Sequence, residues 1–447
     1  MEARVLLLIK ELYFFAQNYK WRRERMLEEK EMLIDVDEKP EFWTGILLSF
    51  QHVFSMFGAT ILVPIITGLP ISAALMMSGV GTLIYHFVTK SKIPVYLGSS
   101  FAFIGAMQIA IQQLDGEISA SQTGIMLVGL GYLIIALLIK VIGTSWIDKI
   151  MPPIVIGPMI MVIGLGLSAT AVQNAGLVAD AQWQNILVAF ITFSITAFIN
   201  TKATGFFKII PFLVGIIGGY ISAWTLGIVD ITPVIEANWF SLPELYLPFK
   251  NTLFNSYDIY LGPEAWAFLP LILVTAAEHI GDHTVISKMT RRNFLKDPGL
   301  SATFTGDGLA SLVSAFFGGP ANTTYGENVG VIGLTRVASV RVVRNAAIIS
   351  IGLSFFSKFT ALLSTIPSPV IGGMSFLLYG VIASSGLKVM IDERTDFSKA
   401  RNLVIASAML VIGLGGAVLD IGPLVISGTA LSAIVGVLLN LILPYEQ

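Results

Sequence analysis

Four carboxylates lie far from any charged loop in an otherwise apolar chain: Glu278 and Asp282 in LILVTAAEHIGDHTVI, Asp307 in TGDGLA and Glu327 in TTYGENVG. A carboxylate at bilayer depth costs several kcal/mol unless it finds partners or takes up a proton, so each marks a candidate functional position. Glu278 and Asp282 stand at i and i+4 and share one helix face. Glu327 falls in a segment broken by glycine. If that face and that segment turn toward one cavity, two or three carboxyls converge in a polar pocket. They then resist ionising together, and Glu278, Asp282 and Glu327 become candidates for carrying a proton. Ionised carboxylates accept hydrogen bonds from N–H donors. The complementary ligand is therefore small, flat and neutral, with N–H and C=O groups along its edge.

The neighbouring side chains have two readings each. Phe101, beside a helix break, either stacks on a planar ligand or fills the core with Phe103. Tyr325 and Tyr379 either close the pocket or anchor at an interface. His279 and His283 have a spacing that suits zinc, yet nothing supplies a third ligand, so a hydrogen-bonded packing role is expected and no metal. Lys358, inside an apolar run, is read as snorkelling. The chain has no cysteine, hence no thiol nucleophile or thiolate metal site. A membrane hydrolase would need a nucleophile or metal that the sequence does not offer. A channel would need a continuous polar lining, whereas these acids gather at one level. Uracil, xanthine and uric acid all match the expected ligand, and an inorganic anion does not.

The elements that hold these residues are membrane helices. The 447 residues are 55% hydrophobic and 13% charged, against about 25% charged in soluble domains, and the mean hydropathy is +0.79. The net charge of -2 has no signature of nucleic-acid binding. About fourteen apolar segments of spanning length run from 44–66 to 422–443. Lys90, Lys92, Lys140, Lys149, Lys202, Lys208, Arg291, Arg292, Lys296, Arg341, Arg344, Arg394 and Lys399 fall in alternate loops. Lys250 is the one clear basic residue in the others. That bias places both termini in the cytoplasm. Residues 6–34, LLLIKELYFFAQNYKWRRERMLEEKEMLI, form either an interfacial helix or a charged tail. The longest outer loop, 229–262, follows the seventh span, so two halves of seven run in opposite directions. Inverted repeats of this kind place a substrate site near the midplane, between helices broken at matching positions. The third span opens KIPVYLGSSFAFIGAM and the tenth GGPANTTYGENVGVIGLTR. Each is expected to start with a short extended segment and resume as a half-helix aiming free N–H groups at the cavity.

QHVFSMFGATILVP, KIPVYLGSSFAFI, AEHIGD, GGPANTTYGENVGVIGLTR and SPVIGGMSFLLYGVI resemble the nucleobase-ascorbate transporter family, and within it the bacterial uracil permeases. The most specific string is ENVGVIGLTR, whose Glu327, Asn328, Gly330, Thr335 and Arg336 match the family signature. The resemblance implies a polytopic all-α protein of the cytoplasmic membrane with fourteen spans, acting as a homodimeric symporter of a nucleobase and a proton, with no cofactor. It implies a core domain from 42–142 and 263–365, a gate domain from 152–228 and 366–447, and a cytoplasmic tail, 1–41. It also implies that Glu278 and Glu327 accept from the base, that backbone groups of Phe101, Tyr325 and Gly326 complete the contacts, and that Ala59 and Tyr379 line the pocket. Where those uracil permeases carry His, this chain has Asp282, as purine-type members often do. Glu327 within TTYGE points back to uracil. Xanthine or uric acid is the alternative substrate. A sulfate-type anion transporter is the remote one, against which Glu278 and Glu327 argue.

Overall fold

A backbone with no water around it must satisfy its own hydrogen bonds, so apolar runs fold as helices. The computed structural model describes residues 32–179, 181–204, 207–208, 210–421 and 424–444. The interfacial helix expected over 6–34 falls almost wholly outside them. In chain order the helices are α1 (Phe42–Thr67), α2 (Ile71–Val88), α3 (Ile104–Gln113), α4 (Ser119–Ile142), α5 (Ser145–Ile150), α6 (Pro153–Gly166), α7 (Ser168–Asn174), α8 (Trp183–Lys202), α9 (Pro211–Thr225) and α10 (Thr232–Glu236). They continue as α11 (Pro263–Trp266), α12 (Leu271–Thr290), α13 (Leu300–Phe316), α14 (Gly326–Thr335), α15 (Val340–Ser354), α16 (Ser357–Ser364), α17 (Ser368–Asp392), α18 (Ala400–Leu414) and α19 (Gly428–Ile442). Among the described residues α1, α2, α4, α6 with α7, α8 and α17 are long and apolar enough to cross a membrane. The bent pair α15 and α16 makes a seventh when counted as one span.

Three expected spans have a different shape. The segment 343–365 bends by 85° between α15 and α16. Loop backbone takes the groups that would have continued the helix: Ser241 N donates to Phe355 O, and Ser357 N donates to Trp239 O, both at 3.1 Å. Trp239 and Phe240 stack on Phe356 at the corner. The segment 264–286 divides into α11 and α12, and Pro270 stands directly before Leu271, the first residue of α12. The last segment opens as an antiparallel hairpin of β5 (Leu419–Ile421) and β6 (Leu424–Ile426) before α19 begins. In the long loop, β2 (Tyr246–Leu247) and β3 (Asn255–Ser256) form a parallel pair.

The helices pack in two groups. In one, α13 lies against α4 and α2, and α15 against α2 and α1. Gly129 and Gly308 permit the α4–α13 crossing: a Cβ on Gly129 would sit 2.7 Å from the Gly308 carbonyl oxygen, the close approach that small residues allow in membranes. In the other group α17 packs on α6 and α8, and α18 on α19 and α6. At the centre of the first group, β1 (Leu97–Ser99) pairs antiparallel with β4 (Asn322–Thr324), Gly98 opposite Thr323. Two strands in a membrane leave edges that lipid cannot satisfy. Here side chains from neighbouring helices do so. Thr82 of α2 receives a bond from Leu97 N and donates to Leu97 O, while Ser311 of α13 does the same for Asn322.

Candidate functional site

The strand pair sets where two half-helices begin. After β1 a turn of 3-10 helix, Phe101–Phe103, leads into α3. After β4, Tyr325 leads into α14. Glu327 is therefore in the first turn of α14, where free N–H groups and the helix dipole favour a carboxylate. Gly326, Gly330 and Gly333 of α14 are exposed, with Glu327 partly so, whereas Asn328, Val329, Val331 and Ile332 on the other side are buried. The open face of this half-helix is thus the face that carries the acid.

Helix α12 packs against both β4 and α14. Its Glu278, Gly281, Asp282 and Val285 are partly exposed, while His279 and His283 are fully buried behind them. The Glu278 carboxyl is within Coulombic reach of Asp282, Glu327 and Asp307, of which Asp282 and Glu327 share the partly exposed faces. Asp282 has a second engagement: its Oδ2 accepts from Thr324 Oγ1 at 3.0 Å, and its Oδ1 lies 3.5 Å from where a Cβ on Gly326 would be. The structure thus brings Glu278, Asp282 and Glu327 together and ties Asp282 to the last residue of β4.

The fourth acid, within the same electrostatic reach, is enclosed in the core. Asp307 is buried on α13, its Oδ2 2.7 Å from His279 Nδ1. His279 Nε2 lies 2.8 Å from Thr303 Oγ1. His283 Nδ1 lies 2.7 Å from the His279 carbonyl oxygen, and its Nε2 meets the Tyr85 hydroxyl. The two imidazoles stack with centroids 3.9 Å apart. All four ring nitrogens are taken up by protein atoms, which is the packing role expected of these histidines. Lys358, read as snorkelling, has its Nζ donating to the carbonyls of Val234 and Ile235 at 2.7 and 3.1 Å.

The remaining residues divide between lining and support. Phe101 meets the Tyr379 ring edge to face, centroids 5.8 Å apart, and so joins the start of the α3 half-helix to α17. Tyr325 is turned into the strand pair. Its hydroxyl donates to Ser99 O at 2.9 Å and hydrogen-bonds Thr60 Oγ1, and its ring lies where a Cβ on Gly98 would come within 2.5 Å. Ala59 of α1 is 1% exposed. Asn328 reaches His52 of α1 through its Nδ2, 3.1 Å from Nδ1 and 3.2 Å from the carbonyl oxygen. Thr335 closes α14 by donating to Val331 O and accepting from Val337 N, and Arg336 ends it in the left-handed region at φ 58°. The signature residues Asn328, Thr335 and Arg336 thus hold α14 in place, and Glu327 and Gly330 occupy its open face.

One support was not expected from the sequence. Residues 33–36 run beside 336–340, with Leu33 N donating to Arg336 O at 2.8 Å and Ala338 N to Ile34 O at 2.8 Å. Arg292, just past α12, bridges Asp35 and Asp37 at 2.8 Å each. The segment therefore ties the end of α14 to the end of α12. The alternation in Ile34, Asp35, Val36 and Asp37 was the available signal.

A profile of the permease family matches residues 44–422, a range that includes every carboxylate of the pocket. The chain belongs to the permease family. Among curated relatives, a uracil permease from Bacillus subtilis (strain 168) is 47% identical over 430 residues, covering 94% of this chain and 97% of that one. A uracil permease from Escherichia coli (strain K12) is 41% identical over 413 residues, covering 92% of this chain and 93% of the relative. Among solved structures, the transmembrane domain of a cyanobacterium bicarbonate transporter, BicA, superposes with a TM-score of 0.63. It covers 90% of this chain and 100% of its own at 16% identity. At that identity the likeness shows the fold, that of a mostly helical membrane transporter. The chain is a multi-pass membrane permease.

Proposed function

We propose that this permease imports uracil together with a proton by alternating access. The observation that carries the reading is the convergence of Glu278, Asp282 and Glu327 on the open faces of α12 and α14, beside the β1–β4 pair. Two acceptor carboxylates suit a neutral ring with N–H groups on its edge, and the start of a half-helix supplies N–H donors for its carbonyls. Anion transporters share the fold, but a pocket lined by carboxylates repels an anion. The relatives named uracil permease support the pyrimidine over xanthine or uric acid.

Transport needs two bodies that move past each other. The packing supports a core of 42–142 with 263–365 and a gate of 152–228 with 366–447, meeting where Phe101 faces Tyr379. The β1–β4 pairing joins the third and tenth segments symmetrically, as inverted repeats of seven spans require. Fourteen crossings, cytoplasmic termini and a homodimer complete the proposal. Backbone groups of Phe101, Tyr325 and Gly326 take the base carbonyls, and Tyr379 closes over the ring. The substrate is tested by competing unlabelled bases against labelled uracil uptake in cells expressing the chain. Uracil should compete best, and stronger competition by xanthine or uric acid would reassign the substrate.

A further inference from the structure

At the start of α1, Lys39, Glu41 and Phe42 form one side of an open cavity of 230 Å³, whose other side is Arg341, Arg344 and Asn345 on the first turns of α15. A water needs on the order of 10–15 Å³ of such space, so this cavity admits a far larger group. Three cations against one carboxylate leave a net charge of +2 (3 − 1) on its lining. Among the described residues Lys39, Arg341 and Arg344 have no ion-pair partner. Cations gathered in excess of their counter-charge repel one another, and an anion between them reduces that repulsion. The neighbours fix the level of the cavity in the membrane. Phe42 and Trp43 are 67% and 74% exposed at the head of an apolar spanning helix, and aromatic rings in that position settle among lipid headgroups. Just beyond the cavity, Ser49 Oγ donates to Val342 O at 3.0 Å and fixes the two sides to each other.

We propose that this cavity is a phosphate-binding site filled from the membrane by the headgroup of an anionic phospholipid. Arg341 and Arg344 stand at i and i+3 on one helix face and offer planar forks of donors that match phosphate oxygens. Lys39 adds a point charge from the opposite side, and the first N–H groups of α1 and α15 add their positive ends. The exposed rings of Phe42 and Trp43 give the acyl chains an apolar flank, which a soluble phosphate would leave bare. A lipid seated here joins α1 to α15. Because α1 also carries His52, the partner of Asn328, the lipid stiffens the frame behind α14 without entering the substrate pocket.

The test uses the purified full chain in detergent, with phosphatidylglycerol, phosphatidylcholine or inorganic phosphate added. Melting is followed for the native chain, for Arg341→Gln and Arg344→Gln singly and together, and for Lys140→Gln as a control. Native mass spectrometry of the same samples counts retained lipid, a readout that holds for any variant whose melting has itself shifted. Phosphatidylglycerol, and not phosphatidylcholine, should raise the melting temperature. Each Arg→Gln change should weaken its apparent affinity about fivefold, Arg344→Lys should recover only the part of that loss due to charge, and Lys140→Gln should leave it unchanged. Equal phosphatidylglycerol affinity in the native chain and the double variant overturns the proposal, as does an equal response to the two phospholipids. A full shift with inorganic phosphate alone overturns the lipid as occupant.

Discussion

Three carboxyl groups carry the account at the level of single residues, and they do not have equal partners. Glu278 and Glu327 face the open side of their helices, so Glu278→Gln and Glu327→Gln keep volume while replacing part of an acceptor edge with a donor. A buried N–H of the base is then left unpaired, at about 1–3 kcal/mol, or roughly 5- to 150-fold in Kd. Calorimetry should show this loss in each variant with the melting temperature kept; normal binding in both would move the pocket elsewhere. Asp282 differs because Thr324 donates to it. Asn at 282 still offers an oxygen to that hydroxyl, so Asp282→Asn should fold, bind base and perform counterflow, yet lose accumulation driven by a pH gradient. Parallel loss of all three with stability would make Asp282 a brace only. These acids were legible in the sequence because ionisable residues are rare at membrane depth. The partners of His279, His283 and Tyr325 were not, since Asp307, Tyr85, Ser99 and Thr60 are distant in sequence and only packing brings them near.

Among the elements, the β1–β4 pair positions everything else, and its tightest point is Gly98 under the Tyr325 ring. Gly98→Ala should force that ring out, break its bonds to Ser99 and Thr60 and displace the start of α14. Base binding should fall at least tenfold, with a loss of about 1–3 kcal/mol in stability typical of overpacking. Unaltered binding would show that Tyr325 can move at no cost to the pocket. The glycine and proline punctuation made both breaks legible, whereas the bend at Phe355 and Phe356 was hidden because loop carbonyls and amides cause it. The 33–36 segment yields a prediction of its own. Burial pushes the Asp35 carboxyl up, but the Val36 N–H and the Arg292 guanidinium outweigh it and hold it below its ordinary value. Stability from a lowered carboxyl is complete above about pH 4 and is lost as pH falls through the lowered value. Arg292→Ala should therefore speed hydrogen exchange over 33–38 at neutral pH, at about 1 kcal/mol or less because the pair is exposed. Unchanged exchange would show that the backbone bonds to 336–340 suffice.

For the whole molecule, composition alone identified the membrane as solvent, and alternating basic loops suggested the sidedness that the proposal adopts. Helix spacing could not show which faces pack together, so the sequence offered the two groups of helices through the family resemblance alone, and the structure supplies their contacts. Their meeting place, with Phe101 against Tyr379 and acids on the open faces of α12 and α14, is where alternating access would expose the site to each side in turn. The most direct test is labelled uracil uptake into proteoliposomes under an imposed pH gradient, acidic on the side from which uracil enters. The account predicts accumulation above equilibrium that a protonophore abolishes and that Glu327→Gln lacks. Uptake indifferent to the gradient, persisting with protonophore, or following sodium instead would contradict it.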